Sequence, residues 1–410
     1  MTKQEFDFFK QFTDPKQCKS QVQTYALKKV IEKSQRASLF MSPGSGKTRC
    51  GIIFAGENIR KYGGRWLLTV PKENLIKQWK EEAKLWGYEK EFESVDCICH
   101  ASNEKHFKDI YGGIIIDEGH LSIDGEHFGS ILSKDFSNTK LLCLTGTKPQ
   151  DKSSLDKLLS VAPLAFELTL AEAVELKLVS NYIINVIDVK LTSEEQIKYN
   201  KAQKSFIYNK QILGNFDAFE RSKEILADKD APQKDKQAAS LFLAAMRNRK
   251  AVVQSASNKL IIGEAICNTY PNLHTITFAE TNVFTTAFHK RMGARSLLFH
   301  SALKDKEKNE ALSKFVDPNH PENLLCSTRA LSEGFNVNGI SLAVVFAFSS
   351  KANTLIQRIA RTLRYIEGKQ AIIFMLVVKD TQEEQWAKNA LKDLPNVRYF
   401  DSWNTFKSLL

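Results

Sequence analysis

The sequence predicts an α/β fold with two sheets, and three observations support this. The chain has 410 residues, enough for two domains that each bury a sizeable core. Short apolar runs alternate with helix-compatible runs, which is typical of mostly parallel sheets flanked by helices. The alternation occurs twice, before and after a Lys-rich helical stretch at residues 192–262. We therefore predict one domain at residues 1–168 and a second at residues 169–410, with the helical stretch inserted near the start of the second.

Composition narrows the class of protein. An apolar fraction of 43% and a charged fraction of 26% are typical of soluble globular proteins. No apolar run approaches the roughly 20 residues that span a bilayer, and residues 1–10 do not resemble a secretory signal. Seven scattered cysteines without a CxxC pair indicate reduced thiols. We expect a cytoplasmic protein with no membrane partner. The net charge of +11 suits a polyanion such as nucleic acid, and it suits general solubility equally well.

The N-terminal elements lead to a phosphate-binding loop. Residues 1–35 look helical, residues 37–41 form an apolar strand, and residues 49–59 continue as a helix. Between strand and helix lie Pro43, Gly44, Ser45, Gly46, Lys47 and Thr48. Glycines let backbone N–H groups converge on a polyphosphate, Lys47 would reach its β- and γ-phosphates, and Thr48 would hold Mg²⁺. Met41 stands where the full pattern has Gly, so a glycine turn that only joins strand to helix is the alternative.

Polar side chains follow the next predicted strands. Residues 66–70 are a buried strand, and Pro71 opens a helix with an apolar period of 3.6. Strands at 95–99, 113–116 and 141–144 follow, and the last two end in Asp117-Glu118 and in Thr145. Ligands of parallel sheets bind beyond the carboxyl ends of the strands. The sequence therefore predicts a site there.

The two carboxylates have a specific chemical interpretation. Asp117 would hold Mg²⁺, and Glu118 would take a proton from the attacking water. Without the loop upstream, they could be idle carboxylates at a strand end. Gln23, 24 residues before Lys47, could pair with both edges of an adenine. Gln21 competes for that role, and an exposed helical glutamine is an equal alternative for Gln23.

The second half repeats the alternation. A connecting helix at 170–179 and a strand at 182–191 precede the helical stretch, which residues 228–232 should break. That stretch is either a solvated helical pair or an insertion facing nucleic acid or a partner. Five strands are predicted after it, at residues 274–279, 296–300, 323–327, 342–348 and 371–378.

An arginine-rich run follows the fourth of these strands. Gln357, Arg361 and Arg364 share one face of a helix. The run could be a basic amphipathic helix. Alternatively, Arg361 and Arg364 reach a γ-phosphate across a cleft, since the planar guanidinium fork matches phosphate oxygens.

Seven motifs in order resemble those of superfamily 2 helicases. They are MSPGSGKT, LLTVPKENLIKQW, IIIDEGH, LTGT, TITFA, STRALSEGFN and QRIARTLR, covering residues 23–364. The resemblance implies two RecA-like domains with ATP between them. By motif position it implies that Gln23 contacts adenine, that Lys47 and Thr48 contact phosphate and Mg²⁺, and that Gly334 and Asn336 also contact nucleotide.

The resemblance also assigns the remaining motif residues. Asp117, Glu118 and His120 match the DExH box, in which His120 would couple hydrolysis to motion. Gln357, Arg361 and Arg364 match the arginine-finger motif. The nucleic-acid path would be lined at four positions, namely Thr69, Pro71, Phe278 and Thr328.

Departures from the pattern favour DNA over RNA. Gly119 and Ala360 are small changes, and Asn336 is similar to the residue of Swi/Snf-type DNA translocases. The run at residues 171–194 resembles the inter-domain segment of UvsW-type branch-migration helicases and of those translocases. We expect a monomeric, ATP- and Mg²⁺-dependent DNA helicase or translocase of a phage or bacterial setting. An RNA helicase, the motor of a restriction-type complex and a plain nucleotide-binding scaffold remain alternatives.

Overall fold

The structure is a computed structural model that describes residues 1–102, 111–121, 139–146, 148–149, 151–214, 217–317, 319–328, 340–348, 370–392 and 394–410. Its strands form two sheets, and every strand pair in these ranges is parallel. The predicted α/β class is confirmed.

The first sheet has six strands in the order β3-β2-β4-β5-β1-β6. Their bounds are Arg36–Met41 (β1), Trp66–Val70 (β2), Val95–Cys99 (β3), Gly113–Ile116 (β4), Lys140–Thr145 (β5) and Leu164–Leu168 (β6). The first five agree with the predicted strands to within one residue. β6 was not predicted, because only two of its residues are buried and its apolar run is correspondingly weak.

Seven helices accompany this sheet in the described part of the chain. They are Lys3–Lys10 (α1), Pro15–Glu32 (α2), Lys47–Tyr62 (α3), Glu73–Leu85 (α4), Glu89–Phe92 (α5), Lys152–Val161 (α6) and Leu170–Glu175 (α7). The prediction that Pro71 opens α4 is wrong, because Lys72 is extended and forms the N-cap. α7 ends before the predicted residue 179, because Lys177 has a φ of 56° and leaves the helical region.

The second sheet has seven strands in the order β13-β7-β12-β11-β8-β10-β9. Their bounds are Asn181–Val189 (β7), Thr275–Phe278 (β8), Ser296–Phe299 (β9), Leu324–Ser327 (β10), Leu342–Val345 (β11), Gln370–Val378 (β12) and Val397–Phe400 (β13). All five strands predicted after the helical stretch are present, and β11 is three residues shorter than predicted. β13 was not predicted because no residue in it is fully buried, as expected of an edge strand.

Eight helices accompany the second sheet in the same described ranges. They are Ser193–Ile212 (α8), Ala218–Ala227 (α9), Gln233–Gln254 (α10), Ser257–Thr269 (α11), Asn282–Met292 (α12), Asp305–Val316 (α13), Gln382–Leu391 (α14) and Trp403–Lys407 (α15). The predicted helical insertion and its break near Pro232 are confirmed by α8 to α10. α8 packs on α10, where Phe206 stacks on Phe242 with ring centroids 5.1 Å apart.

Buried apolar side chains hold helices against both faces of each sheet. The first sheet ends at Leu168 and the second begins at Asn181, and the domain boundary at residue 168 stays a prediction. Among the residues that the structure describes, none of the helices combines the length and apolar character needed to cross a bilayer.

Candidate functional site at the carboxyl edge of the first sheet

The predicted phosphate-binding loop joins β1 to α3. Gly44 and Gly46 have φ angles of 85° and 94°, a region in which only glycine is comfortable. Ser45 is buried, and its hydroxyl donates to the Ser42 carbonyl oxygen over 2.6 Å. A hydrogen bond from the Ser45 side chain therefore contributes to holding the loop in a compact turn.

The loop has groups suited to an anion. Gly46 is the N-cap of α3 and makes no side-chain capping bond, and the first N–H groups of a helix have no intrahelical partner. Ser42 Oγ is buried and has no hydrogen-bond partner within the described residues. An uncapped helix N-terminus is a favourable position for phosphate. The residues present therefore fit a nucleotide polyphosphate.

An ion pair connects the loop to the carboxylates that follow β4. Lys47 Nζ lies 3.0 Å from Glu118 Oε1, and the two side chains are 11% and 23% exposed. Glu118 Oε2 accepts a bond from the Gly146 N–H over 3.3 Å. His120 Nδ1 lies 3.4 Å from the same oxygen and 2.7 Å from Thr145 Oγ1. Residues from three separate motifs thus meet around one carboxylate.

The backbone of Glu118 is in an uncommon conformation. Its φ of 48° places a non-glycine residue in the left-handed region. Such outliers cluster at functional sites, where the surrounding structure maintains them. Glu118 N–H donates to Asp117 Oδ1 over 3.0 Å, which contributes to holding this turn.

The pKa values of the two neighbouring carboxylates shift in opposite directions. Burial, followed by the nearby charge of Glu118, raises the pKa of Asp117 above its usual range. Burial also acts to raise the pKa of Glu118. The Lys47 ammonium and His120 outweigh that effect and hold it below its usual range. Glu118 is thus the more acidic of the two carboxylates in this arrangement.

Two residues that the sequence analysis did not assign to the site contact Asp117. Trp79 Nε1 donates to Asp117 Oδ2 over 3.0 Å from helix α4. His100 lies between Thr69 Oγ1 (2.8 Å to Nδ1) and the Asp117 carbonyl oxygen (2.9 Å from Nε2). A carbonyl only accepts, so Nε2 carries the proton and Nδ1 accepts from Thr69. Burial lowers the pKa of His100 to about 4, which keeps the ring neutral.

A sequence signal existed for one of these two. His100 directly follows β3, so it occupies a strand end like the one that identified Asp117. Trp79 belongs to the apolar stripe of α4, and nothing in that spacing distinguishes a hydrogen-bonding indole from a core side chain.

Gln23 lies beside the loop, and both the nitrogen and the oxygen of its amide are hydrogen-bonded. Its Nε2 donates to the Ser45 carbonyl over 2.9 Å, and its Oε1 accepts from Arg49 Nη1 over 2.8 Å. The side chain is only 2% exposed, so the alternative of an exposed helical glutamine is wrong. A Cβ at Gly46 would lie 2.0 Å from Gln23 Nε2, which shows how closely α2 approaches the loop.

The four residues predicted to line a nucleic-acid path lie at strand ends. Thr69, Phe278 and Thr328 are buried, and Pro71 is half-buried. Their role stays a prediction. In this conformation the Thr69 hydroxyl is hydrogen-bonded to His100, and Phe278 packs in the core of the second sheet.

Five further predicted site residues lie outside the described residues. They are the nucleotide contacts Gly334 and Asn336 and the finger-motif residues Gln357, Arg361 and Arg364. Their roles stay predictions.

Two family models match separate stretches of this chain. A family model described as helicase conserved C-terminal domain matches residues 257–366. A second, described as type III restriction enzyme, res subunit, matches residues 17–111, which include the loop. The matches support a superfamily 2 helicase.

Curated relatives agree over short stretches. The chain is 29% identical over 114 residues to the SNF2 domain-containing protein CLASSY 4 of Arabidopsis thaliana, covering 27% of this chain. It is 31% identical over 97 residues to the chromatin remodeling factor mit1 of Schizosaccharomyces pombe, covering 23% of this chain. The chain spans only 10% and 7% of the lengths of these two relatives.

A solved structure shares the fold. The helicase domain of Pyrococcus furiosus Hef superposes with a TM-score of 0.55, covering 91% of this chain and 97% of that one. The sequence identity of 14% limits this likeness to the fold, which is that of two RecA-like units.

Proposed function

We propose that this protein is a nucleic-acid-dependent ATPase that moves on DNA, with strand separation or branch migration as the outcome. The observation that carries the proposal is the 3.0 Å contact between Lys47 and Glu118. It joins a loop with phosphate-binding geometry to an acidic carboxylate, whose other partners are His120 of its own motif and the Gly146 N–H after β5. The matches to helicase and restriction-subunit family models support the same class.

The residues at this edge divide the work of hydrolysis. The loop amides and Lys47 bind the β- and γ-phosphates, so Lys47 exchanges Glu118 for phosphate oxygens. Glu118, once released by Lys47, orients the attacking water and accepts its proton. Thr48 and Asp117 would hold Mg²⁺, which supplies neutralisation of phosphate charge. His120 bridges Glu118 to Thr145 and couples this carboxylate to the end of β5.

The second half of the chain supplies the remaining positive charge in this proposal. Arg361 and Arg364 stabilise the charge that spreads over the transferring phosphoryl group, and Gln357 supports them. Closing and opening of the two halves then changes the grip on the nucleic acid with each ATP. The contacts are mainly to phosphate and carry little sequence information.

DNA, and not RNA, is the nucleic acid on which we propose that the protein moves. The stretches similar to an SNF2 domain-containing protein and to a chromatin remodeling factor support this choice, as does Asn336 in the sequence. Branch migration of the UvsW type is the finer form of the proposal. The match to the res subunit of type III restriction enzymes favours a second candidate, the motor of a restriction-type complex whose nuclease is supplied by a partner.

ATP turnover with different nucleic acids tests the proposal. We expect duplex or branched DNA to stimulate hydrolysis more than RNA does, and Lys47→Ala to abolish the stimulated turnover. Lys61→Ala is a matched control, because Lys61 lies in the last turn of the same helix, at the end remote from the loop. Stimulation by RNA alone would replace DNA with RNA. Stimulated turnover retained by Lys47→Ala would refute the site.

A panel of forks, four-way junctions and blunt duplexes identifies the outcome of movement. Unwinding of forks with ATP supports strand separation, and conversion of junctions supports branch migration. Turnover without either product favours a motor that serves a partner. Stimulation should also fall steeply with salt, with a slope of roughly −0.7 to −0.9 per phosphate contacted.

A further inference from the structure

A fully enclosed ion pair lies at the carboxyl edge of the second sheet. Lys259, on α11, and Glu383, on α14, are both 0% exposed. Lys259 Nζ lies 2.8 and 2.7 Å from the two oxygens of the Glu383 carboxylate. Burial lowers the pKa of Lys259 and raises that of Glu383, so loss of hydration opposes both charges. A buried ion pair is often no more stable than apolar residues of similar volume, so stability alone explains it poorly.

The other hydrogen bonds of this pair all go to the backbone of two strand ends. Lys259 Nζ donates to the Phe346 carbonyl oxygen over 2.6 Å. Glu383 Oε1 accepts from the Phe348 N–H over 3.3 Å, and Oε2 accepts from the Val378 N–H over 2.9 Å. The three ammonium hydrogens and both carboxylate oxygens therefore have partners. Such a satisfied buried network specifies one arrangement of the groups that it joins.

The anchored backbone is also packed tightly. Phe346 N–H donates to the Phe278 carbonyl over 2.9 Å, which extends the pairing of β11 with β8. The rings of Phe284 and Phe288 lie 5.0 and 4.7 Å from the ring of Phe346. A Cβ at Gly263 of α11 would lie 2.4 Å from the same ring. The position of Phe346 is thus determined from several directions.

The place of this anchor in the chain gives it a role. Residues 346–348 leave β11 and lead directly into residues 349–369, which include the predicted arginines and end where β12 begins. Val378 is the last residue of β12. The pair therefore joins the backbone at the end of β11 to the backbone at the end of β12, its neighbour in the sheet.

We propose that Lys259 and Glu383 are positioning residues, which hold the strand end from which residues 349–369 depart and so set the placement of Arg361 for ATP hydrolysis. This inference rests on the proposed function, because it assumes that Arg361 acts on the transferring phosphate. A misplacement of about 1 Å in a catalytic site can cost about 100-fold in rate. The pair should therefore affect kcat and leave nucleotide binding to the Lys47 loop unchanged.

A set of four proteins tests this proposal: the unmodified chain, the double variant Lys259→Met with Glu383→Leu, the single variant Arg361→Ala, and all three changes together. The double variant removes both charges, so no buried charge is left unpaired. We expect it to lower DNA-stimulated kcat about 10- to 100-fold. Its affinity for ATP should stay within about twofold. Its midpoint of thermal unfolding should fall, because the Phe346 carbonyl and the Phe348 and Val378 N–H groups lose their partners. On the Arg361→Ala background the same two changes should lower kcat no further.

Two additional variants make the outcome unambiguous. Glu383→Asp keeps the charge and shortens its reach to the strand ends, and we expect it to lower kcat as well. It serves as the test if the double variant does not fold. Glu384→Gln is the matched control, because Glu384 is the next residue of α14 and pairs with Lys388 on the surface. We expect this control to leave kcat unchanged.

The results separate this inference from the function on which it rests. Unchanged kcat in a folded double variant, or an equal fall on both Arg361 backgrounds, would overturn the positioning role alone. Loss of folding in both the double and the Glu383→Asp variants would make the pair a stability element and overturn it as well. If Arg361→Ala itself leaves turnover unchanged, the finger assignment is wrong and the inference falls with it.

Discussion

Two lysine–glutamate pairs occupy corresponding edges of the two sheets, and they differ in access to water. Lys47 and Glu118 are 11% and 23% exposed, whereas Lys259 and Glu383 are wholly enclosed. In the proposed function, the partially exposed pair exchanges its partners for phosphate oxygens and water. The enclosed pair cannot do so, because separating buried charges leaves each without compensation. If both proposals hold, exposure, and not the contact itself, distinguishes the binding site from the structural anchor.

We expect the largest effect, a loss of stability, when one partner of the enclosed pair is removed. Lys259→Met leaves the Glu383 carboxylate buried without its cation, which costs about 3–5 kcal/mol. We expect the midpoint of thermal unfolding to fall by about 10 °C, measured by circular dichroism. Lys388→Met is the control, because Lys388 is exposed and its pair with Glu384 contributes less than about 1 kcal/mol. Equal shifts in the two variants would remove the distinction between the pairs.

The next effect breaks the partially exposed pair. Glu118→Gln retains the shape of the side chain and removes the base, so kcat for ATP should fall at least about 100-fold. ATP affinity should persist and the midpoint of unfolding should stay within about 2 °C, since this pair is accessible to water. Titration with a fluorescent ATP analogue measures the affinity. A large loss of stability with little loss of turnover would assign Glu118 to structure.

We expect the smallest effect, a loss of ATP affinity, when Lys47 is moved but not removed. A Cβ at Gly146 would lie 2.4 Å from Lys47 Nζ and 3.1 Å from Pro43 Cγ. The ammonium is the end of a flexible side chain and can shift, so Gly146→Ala should fold normally. We expect ATP affinity to weaken about tenfold, or about 1.4 kcal/mol. Gly64→Ala is a control with open space around it, although its φ of 90° adds strain. An unaltered affinity in Gly146→Ala would show that Lys47 does not need its present position.

The order of elements and most of the site were available from the sequence. The pattern of strand, glycine-bearing turn and helix predicted the position of Lys47 in the loop. An apolar run predicted that Asp117 and Glu118 lie at the end of a strand. The carboxyl ends of parallel strands share one edge, so Lys47 and Glu118 were expected to be near each other, and their contact agrees. The edge strands β6 and β13 were not predicted, because exposed strands lack the apolar pattern that identifies buried ones.

Contacts between residues far apart in the chain were decided by tertiary structure alone. Local periodicity describes the face on which a side chain lies, but it does not name the partner that meets it across the fold. The indole of Trp79 on Asp117, the imidazole of His100 between Thr69 and Asp117, and the pairing of Lys259 with a residue 124 positions away are of this kind. The sequence by itself determined the α/β class and the buried strands of both sheets, and it predicted the chemistry at their edges. Tertiary structure decided how exposed each of two similar ion pairs is, because only packing of the whole chain determines how much water reaches a charge.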